Sequence, residues 1–453
     1  MKKIIAFIAA VAAFVSCSGS RGIESSVAAR YESGTIVLET PERTPGQSSA
    51  LQMACEPLET VRIGFIGVGS RGISAVGRYT YIDGVEIKAV CDLLPERTAS
   101  ANETLASRGF PAAAEYSGED GWKSLCENPE IDLVYICTPW LLHTPMAVYA
   151  MEHGKHVAIE VPAATTIAEC WQLVNTCELT RRHCMMLENC CYDFYEMTAL
   201  NMAQQGVFGE VYHAEGAYIH NLDEFWDVYQ GNWRLDYNYR NRGDNYPTHG
   251  LGPVCQVLNI HRGDRMDYLV SMDTKPLHGA AVAKEKMGVD TFADGDHTVS
   301  LIRTVKGHQI EIQHNVYAAR PYNRMYQLTG TKGFANKYPR PGFAVAPNPE
   351  KWADDARYEE LCSRYKHPIT AEYEVKAREV GGHGGMDFIM DSRLIHCLRN
   401  GLPLDQDVYD AAEWSCISEL SRISINNGSA PVRVPDFTRG EWNRIQGYRH
   451  SGF

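Results

Sequence analysis

Apolar positions along this chain follow two patterns, and the change between them falls near residue 184. From residue 61 to about 160, short runs that are apolar throughout alternate with amphipathic segments. Arg62-Ile-Gly-Phe-Ile-Gly67 reads as a buried strand entering a glycine-rich turn, with a helix from Ser70. Val85 to Cys91 is a second strand, closed by Asp92. A helix over Pro95 to Ser107 and a short amphipathic segment over Gly121 to Cys126 follow. Ile131 to Thr138 is a third apolar strand, stopped by Pro139. A helix over Thr144 to His153 and a strand over Lys155 to Glu160 continue the rhythm, then a helix from Ile167 to Cys184 and a strand over Cys184 to Asn189. Strands apolar on both faces and separated by helices predict a parallel sheet covered on both sides. Beyond residue 184, runs such as Val211 to His220, Thr298 to Arg303 and His308 to Gln313 alternate apolar with polar residues. They predict a largely antiparallel sheet with one covered face. Met386 to Leu398 and Val408 to Ile425 read as helices.

The first turn carries chemistry. Gly67, Gly69 and Gly72 have the spacing G-x-G-x-x-G, and Asp92 ends the next strand 20 residues beyond Gly72. In such a unit the first glycine makes the tight turn, the second lets backbone approach a pyrophosphate, and the third lets helix and strand pack closely. The helix N-terminus favours the phosphate charge. Asp92 can accept both ribose hydroxyls and repels a 2′-phosphate, so NAD is the expected cofactor. The expected fold class is therefore α/β: a Rossmann dinucleotide-binding domain over 59–183, then an α+β domain with an open, largely antiparallel sheet over 184–453. Ligands of parallel sheets lie at the carboxyl ends of the strands, where Asp92, Thr138 and Glu160 fall.

Composition narrows the partners. The chain has 453 residues, 44% hydrophobic and 22% charged, with a net charge of −13. That balance argues against nucleic acid, which wants a basic surface. Ile4 to Val15 is an apolar run after Met1-Lys-Lys, suited to a signal peptide and too short to span a bilayer. Phe14-Val-Ser-Cys17 resembles a bacterial lipobox with Phe14 in place of the usual leucine; a plain secretory signal is the alternative. The expectation is a signal over 1–17, a lipid anchor on Cys17 as the sole membrane attachment, and export to the bacterial envelope. Residues 18–58, rich in Ser, Thr, Gly and Pro, read as tether and irregular chain. The 14 cysteines lie within apolar patterns, Cys170, Cys177 and Cys184 recurring on one predicted helix face, so buried reduced thiols are expected. No C-x-x-C pair offers a metal site.

Thr138-Pro-Trp-Leu-Leu-His143 and Glu160-Val-Pro162, placed after such a dinucleotide unit, resemble the Gfo/Idh/MocA oxidoreductases. Ordinary members have a lysine where Val161 stands, and that lysine assists proton transfer; valine cannot ionise. Glu160-Val-Pro-Ala-Ala164, Leu187-Glu-Asn-Cys-Cys-Tyr192, Gly231-Asn-Trp-Arg234, Tyr246-Pro-Thr-His249-Gly-Leu-Gly-Pro253, Arg320-Pro-Tyr322 and Gly381-Gly-His-Gly-Gly-Met-Asp387 are similar to one branch, glycoside hydrolase family 109. Its typical members are α-N-acetylgalactosaminidases.

The resemblance implies a retaining glycosidase with a permanently held NAD, departing from the two-carboxylate scheme. Hydride leaves sugar C3, a base removes the acidified C2 proton, the glycosidic oxygen leaves C1, water adds and the hydride returns. It implies that His249, Tyr322, Tyr246 and Tyr192 serve catalysis, with Tyr192 near the nicotinamide. An imidazole can both give and take a proton, so His249 suits proton transfer. Tyr218, Arg234, Tyr246, His249 and Tyr322 would contact the sugar. Ser70 and Arg71 go by resemblance to the pyrophosphate turn, and Trp140, Leu141, Leu142, His143, Glu160, Val161 and Asn189 to the NAD pocket. A structural reading stands beside several of these: a salt bridge at Glu160, a solvent-facing Tyr218, a hydrogen-bonded turn at His249. The expected partner is a glycan with a terminal α-linked sugar, and the open sheet offers a surface for homo-oligomers. A net NAD-dependent sugar dehydrogenase, an α-glycosidase of another sugar specificity and a non-catalytic sugar-binding protein are the competing readings.

Overall fold

The computed structural model describes residues 22–452. The expected signal segment 1–17 and the expected anchor residue Cys17 lie outside the described residues.

Residues 22–58, the described part of the segment expected as tether and irregular chain, are irregular apart from one hairpin. The hairpin is β1 (Ala29–Glu32) and β2 (Thr35–Leu38), paired antiparallel. Ile36 and Leu38 are buried while Thr35 and Val37 are not. Two inward residues are too short an alternation to stand out against a Ser- and Pro-rich background, yet they bury enough surface to dock the segment. Ser26 fastens it further, its N–H and hydroxyl each donating to Glu419 at 2.6 Å.

A doubly wound unit follows: β3 (Val61–Ile66), α1 (Ser70–Tyr79), β4 (Val85–Asp92), α2 (Pro95–Ser107), β5 (Ala114–Ser117), α3 (Gly121–Glu127), β6 (Leu133–Ile136), α4 (His143–Glu152), β7 (His156–Ile159), α5 (Ile167–Thr180) and β8 (Cys184–Met186). The six strands are parallel, in the order β5-β4-β3-β6-β7-β8. Strands β6, β7 and β8 are buried at every position, as their unbroken apolar runs require. The winding reverses between β3 and β6, so a crevice opens at their carboxyl ends. Helix α5 stops at Thr180, with Arg181 in the left-handed region at φ 57°. Cys184 therefore opens β8 instead of continuing the helix face of Cys170 and Cys177. All thirteen described cysteines are free, most of them buried.

The second domain runs α6 (Phe194–Gln204), β9 (Val211–Ile219), α7 (Trp233–Arg240), α8 (Thr248–Val257), β10 (Met266–Asp273), α9 (His278–Met287), β11 (Thr298–Thr304), β12 (Gln309–Asn315), β13 (Asn323–Gly330), β14 (Gly333–Asn336), β15 (Gly342–Val345), α10 (Asp355–Arg364), α11 (Pro368–Val380), α12 (Met386–Asn400), α13 (Val408–Ser415), α14 (Ile417–Asn426) and β16 (Val432–Arg433). Its sheet has ten strands in the order β1-β2-β16-β10-β11-β12-β9-β13-β14-β15, antiparallel except at β9/β12 and β2/β16. Burial alternates along β12 and β13, the one-covered-face pattern expected from sequence.

One contact on the covered face positions the site. A Cβ at Gly250 would lie 2.4 Å from the Ala217 nitrogen, and a Cβ at Gly216 would lie 2.2 Å from the Gly250 carbonyl oxygen. With neither present, α8 settles against β9 backbone to backbone. Helix α12 ties the domains together from the other side, Arg78 pairing with Asp391 at 2.9 Å.

Candidate functional site

The glycine turn closes as its spacing predicts. Gly67 has φ 84°, and a Cβ there would meet the Cys137 carbonyl oxygen at 2.6 Å. A Cβ at Gly72 would sit 1.8 Å from the Gly67 carbonyl oxygen. At Gly69 the nearest neighbour is the end of the Arg97 side chain, 3.3 Å away, so the turn is open on its outer side. Gly69 is the N-cap of α1; no side chain caps it, no acid occupies the first turn, and Ser70 is exposed. Those free amides and the open glycine fit a pyrophosphate. Asp92 is buried at the end of β4, where its carboxylate accepts the N–H groups of Val68 at 3.0 Å and Leu94 at 3.1 Å. Past β6, Leu141 and Leu142 are 61% and 43% exposed, an apolar edge at the crevice that a flat heterocycle would cover. The residues present fit NAD.

Between this edge and α12 lies an ion-pair hub. Arg71 donates to Glu160 at 2.6 Å and to Asp387 at 2.6 Å. Asp387 also accepts from Asn189 at 2.6 Å and pairs with His383 at 2.9 Å. Burial pushes the Asp387 carboxyl up, but Arg71, His383 and Arg78 outweigh it and hold the group well below its ordinary range. Arg71, expected at the pyrophosphate, thus divides its donors between Glu160 and Asp387, and Asn189, expected in the NAD pocket, donates to Asp387. Glu160 forms the salt bridge and still borders the crevice at the end of β7. His143 is buried, with its two ring nitrogens 2.8 Å and 2.6 Å from the carbonyl oxygens of Pro162 and Thr138. It pins the segments after β6 and β7 together. Val161 is buried beside it.

Across the crevice, five expected residues come together. Tyr218 ends β9 on its inward face and is 8% exposed, so it does not face solvent. Its ring centroid lies 4.7 Å from Tyr246, 5.4 Å from His249 and 6.3 Å from Tyr322. The Gly216–Gly250 contact sets the Tyr218–His249 spacing. Arg234, from α7, inserts its guanidinium among the rings, 4.7 Å from Tyr246, 5.0 Å from Trp140 and 5.9 Å from Tyr218. It donates to the Tyr229 hydroxyl at 2.7 Å, while its Nε and Nη2 are buried without hydrogen-bond partners among the described residues. Burial opposes its charge, but the phenols of Tyr229, Tyr218 and Tyr246 raise it above its ordinary value. Buried N–H groups left over in this way ask for an acceptor from a ligand. Burial raises the phenols of Tyr218, Tyr246 and Tyr322, so all three stay protonated at neutral pH. Trp140 stacks on Tyr246, with centroids 5.5 Å apart and planes at 24°. It forms the wall between the dinucleotide edge and the ring pocket.

Tyr192 was expected near the nicotinamide. Its ring is fully buried, and its hydroxyl points at Asp405, 3.5 Å away. Residues Asn189–Tyr192 form a 3-10 turn, in which side chains three apart share a side. Asn189 accordingly reaches Asp387 in α12, and Tyr192 reaches Asp405 just beyond that helix. The residue before the turn, Glu188, faces the other way and reaches His249 Nδ1 at 2.7 Å. Glu188 lies inside the Leu187–Tyr192 motif, where it had no expected role. The glycine at 252 is the signal that was available, since a Cβ there would lie 2.8 Å from the Glu188 Cγ.

The arrangement is a polar, ring-lined pocket with proton carriers, one buried cation and an adjoining dinucleotide edge. It can hold a polyol and move protons on it. The family model for the glycosyl hydrolase 109 C-terminal domain matches residues 192–444, and that for the oxidoreductase family NAD-binding Rossmann fold matches residues 61–188. A glycosyl hydrolase family 109 protein of Porphyromonas gingivalis is 59% identical over 433 residues, covering 92% of each chain. An alpha-N-acetylgalactosaminidase of Bacteroides fragilis is 53% identical over 414 residues, 89% of this chain and 97% of the relative. Among solved structures, levoglucosan dehydrogenase in complex with NADH superposes with a TM-score of 0.62 at 17% identity, over 83% of this chain and all of that one. Apo scyllo-inositol dehydrogenase from Lactobacillus casei gives 0.60 at 15%, over 83% and 99%. At such identities these two share the fold.

Proposed function

The chain belongs to the glycosyl hydrolase 109 family and is a glycosidase with an NAD-binding Rossmann domain, and on that premise we propose that it releases terminal α-linked N-acetylgalactosamine with retention. The observation that carries this reading is the ring pocket around Arg234, sharing the Trp140 wall with the dinucleotide edge. The 53% identity to an alpha-N-acetylgalactosaminidase supports the choice of sugar.

When bound, NAD supplies a reversible hydride acceptor, so oxidation at sugar C3 is undone within the turnover and the net reaction is hydrolysis. Gly67, Gly69, Ser70, Gly72 and Asp92 would hold it. Four proton movements on the sugar then fall to the chain. The C3 hydroxyl gives up its proton as the ketone forms, and the C2 hydrogen, acidified by that ketone, is abstracted. The glycosidic oxygen takes a proton as it leaves C1; water adds there and C2 is reprotonated. His249 Nε2, with the phenols of Tyr246 and Tyr322, carries these protons. Arg234 offers Nε and Nη2 to the acetamido or hydroxyl oxygens, replacing the partners those groups lack in the protein. Val161 removes the lysine of the dehydrogenases, which speaks against stoichiometric NADH production. An acylated Cys17 would hold the enzyme at the cell envelope.

The test is hydrolysis of an aryl α-N-acetylgalactosaminide in D2O by protein purified without added cofactor. NAD released on denaturation, retained anomeric configuration and one deuterium at C2 are expected. Net NADH accumulation, or product without label at C2, would overturn the reading.

A further inference from the structure

We propose that Glu188 is a positioning residue for His249, fixing the imidazole so that Nδ1 faces the carboxylate and Nε2 is the nitrogen offered to the sugar. This rests on the reading of His249 as a proton carrier of the glycosidase.

Glu188 is fully buried, just beyond the end of β8. A buried carboxylate needs a cation or hydrogen-bond donors. Among the described residues no Lys or Arg pairs with it, and its one ion-pair partner is His249, at 2.7 Å. The same oxygen accepts the Cys190 N–H at 3.1 Å. The backbone therefore holds the carboxylate in place while the imidazole is held by the carboxylate. An ionised carboxylate only accepts, so Nδ1 must donate. His249 sits in the first turn of α8 with 14% of its side chain exposed. Its Nε2 has no partner among the described residues, and the neighbouring rings are Tyr218 and Tyr246, 5.4 Å and 5.0 Å away.

The helix itself makes room for this contact. At Gly252, one turn along α8 from His249, the missing Cβ leaves the space that the Glu188 Cγ occupies, 2.8 Å from where it would be. The gap carries the carboxylate to His249 and not to the sugar. A paired carboxylate sets the tautomer of an imidazole and stabilises the imidazolium that forms when Nε2 takes a proton. That is the help a base needs while it abstracts a proton from C2 or from the C3 hydroxyl. One rival use of the same atoms is a metal site, because ligand atoms of Glu188, Cys190 and His249 lie within 4.8 Å of one another. The Cys190 thiol is buried and stays protonated, which disfavours a cation and leaves the hydrogen-bonded pair.

The experiment uses the full chain with its bound NAD. In wild-type protein labelled with 15N-histidine, the His249 resonances, identified by difference against His249→Asn, are expected to show the proton on Nδ1 and a free Nε2. Glu188→Gln keeps an acceptor and removes the charge. It should lower kcat on an aryl α-N-acetylgalactosaminide by about 100-fold, within the span of general acid–base contributions, and leave KM within about threefold. Because the imidazolium loses its counter-charge, the acid limb of kcat/KM should move to lower pH. Glu188→Asp should recover part of the loss. A proton on Nε2, or a Glu188→Gln enzyme with unchanged kcat and pH profile, would overturn the proposal. So would a uniform loss of folded, NAD-bearing protein without a pH shift, or loss of activity in EDTA regained with zinc. If wild type does not cleave the glycoside at all, the glycosidase reading falls, and the tautomer alone decides the role of Glu188.

Discussion

On the β3–β6 side of the crevice the working surface is backbone: a turn of three glycines, the uncapped first amides of α1 and one carboxylate at the end of β4, all within residues 67–92. On the β9 side it is side chains: Tyr218, Arg234, Tyr246, His249 and Tyr322, drawn from a strand, two helices and the loops beside them, with Trp140 reaching over from the first domain. The first kind of surface is intolerant of added atoms, because its function is close approach. The second tolerates shape changes at its rim but not the loss of a polar atom, because each residue has one task. The two faces should therefore fail in different ways.

The largest effect is expected from Gly72→Ala. The new Cβ would overlap the Gly67 carbonyl oxygen at 1.8 Å, so the turn must open. Purified variant should contain no dinucleotide by mass spectrometry and show no hydrolysis; full NAD occupancy would show that the turn does not depend on this glycine. His249→Ala should separate the faces. Activity is expected to fall by about 10²- to 10⁴-fold while NAD content stays at the wild-type level, and loss of both together would mean that His249 supports the cofactor side. Arg234→Gln should be milder. Charge-assisted hydrogen bonds are worth about 1.5–3 kcal/mol, so KM should rise about tenfold to 100-fold, with bound NAD unchanged. An unaltered KM would remove Arg234 from substrate binding.

The smallest effect is on stability, and both faces share it. Burial lowers His156 to about 4 and His183 to about 3 in the first domain. It lowers His314 to about 3 and His450 to about 4 in the second. Each is neutral when folded but titrates near 6.5 when unfolded. Between those values the unfolded chain binds more protons, so this stability is present above pH 6.5 and is lost as pH falls towards 4. The thermal midpoint should drop over that window, with both domains moving together. A midpoint flat from pH 7 to 4 would contradict the burial of these rings.

How far the sequence could be read differs between the faces for the same reason. The strands β3, β4, β6 and β7 and the glycine turn were visible because each rests on neighbours in the chain: an unbroken apolar run, a φ that glycine supplies, an acid at a strand end; β5, a mostly exposed edge strand of sequence Ala-Glu-Tyr-Ser, has no such run and was not foreseen. His249 and Tyr246 were visible through a short motif. The Tyr192–Asp405 contact was not legible because it depends on a 3-10 turn and on a partner 213 residues away. Glu188 was passed over because its partner lies 61 residues away. The hairpin at 29–38 was hidden because its two inward residues gain meaning only once β16 is beside them.

By itself, then, the order of residues determined the two-domain plan, the alternation that makes one sheet parallel and the other open, and the dinucleotide turn. These follow from local periodicity and backbone freedom. Only the tertiary structure decided which tyrosines share a pocket, that Arg71 and Asn189 serve Asp387, and that a buried carboxylate stands behind His249. Such pairings depend on which elements pack together, and here the decisive packing is α8 lying on β9 where neither Gly216 nor Gly250 carries a side chain to hold them apart.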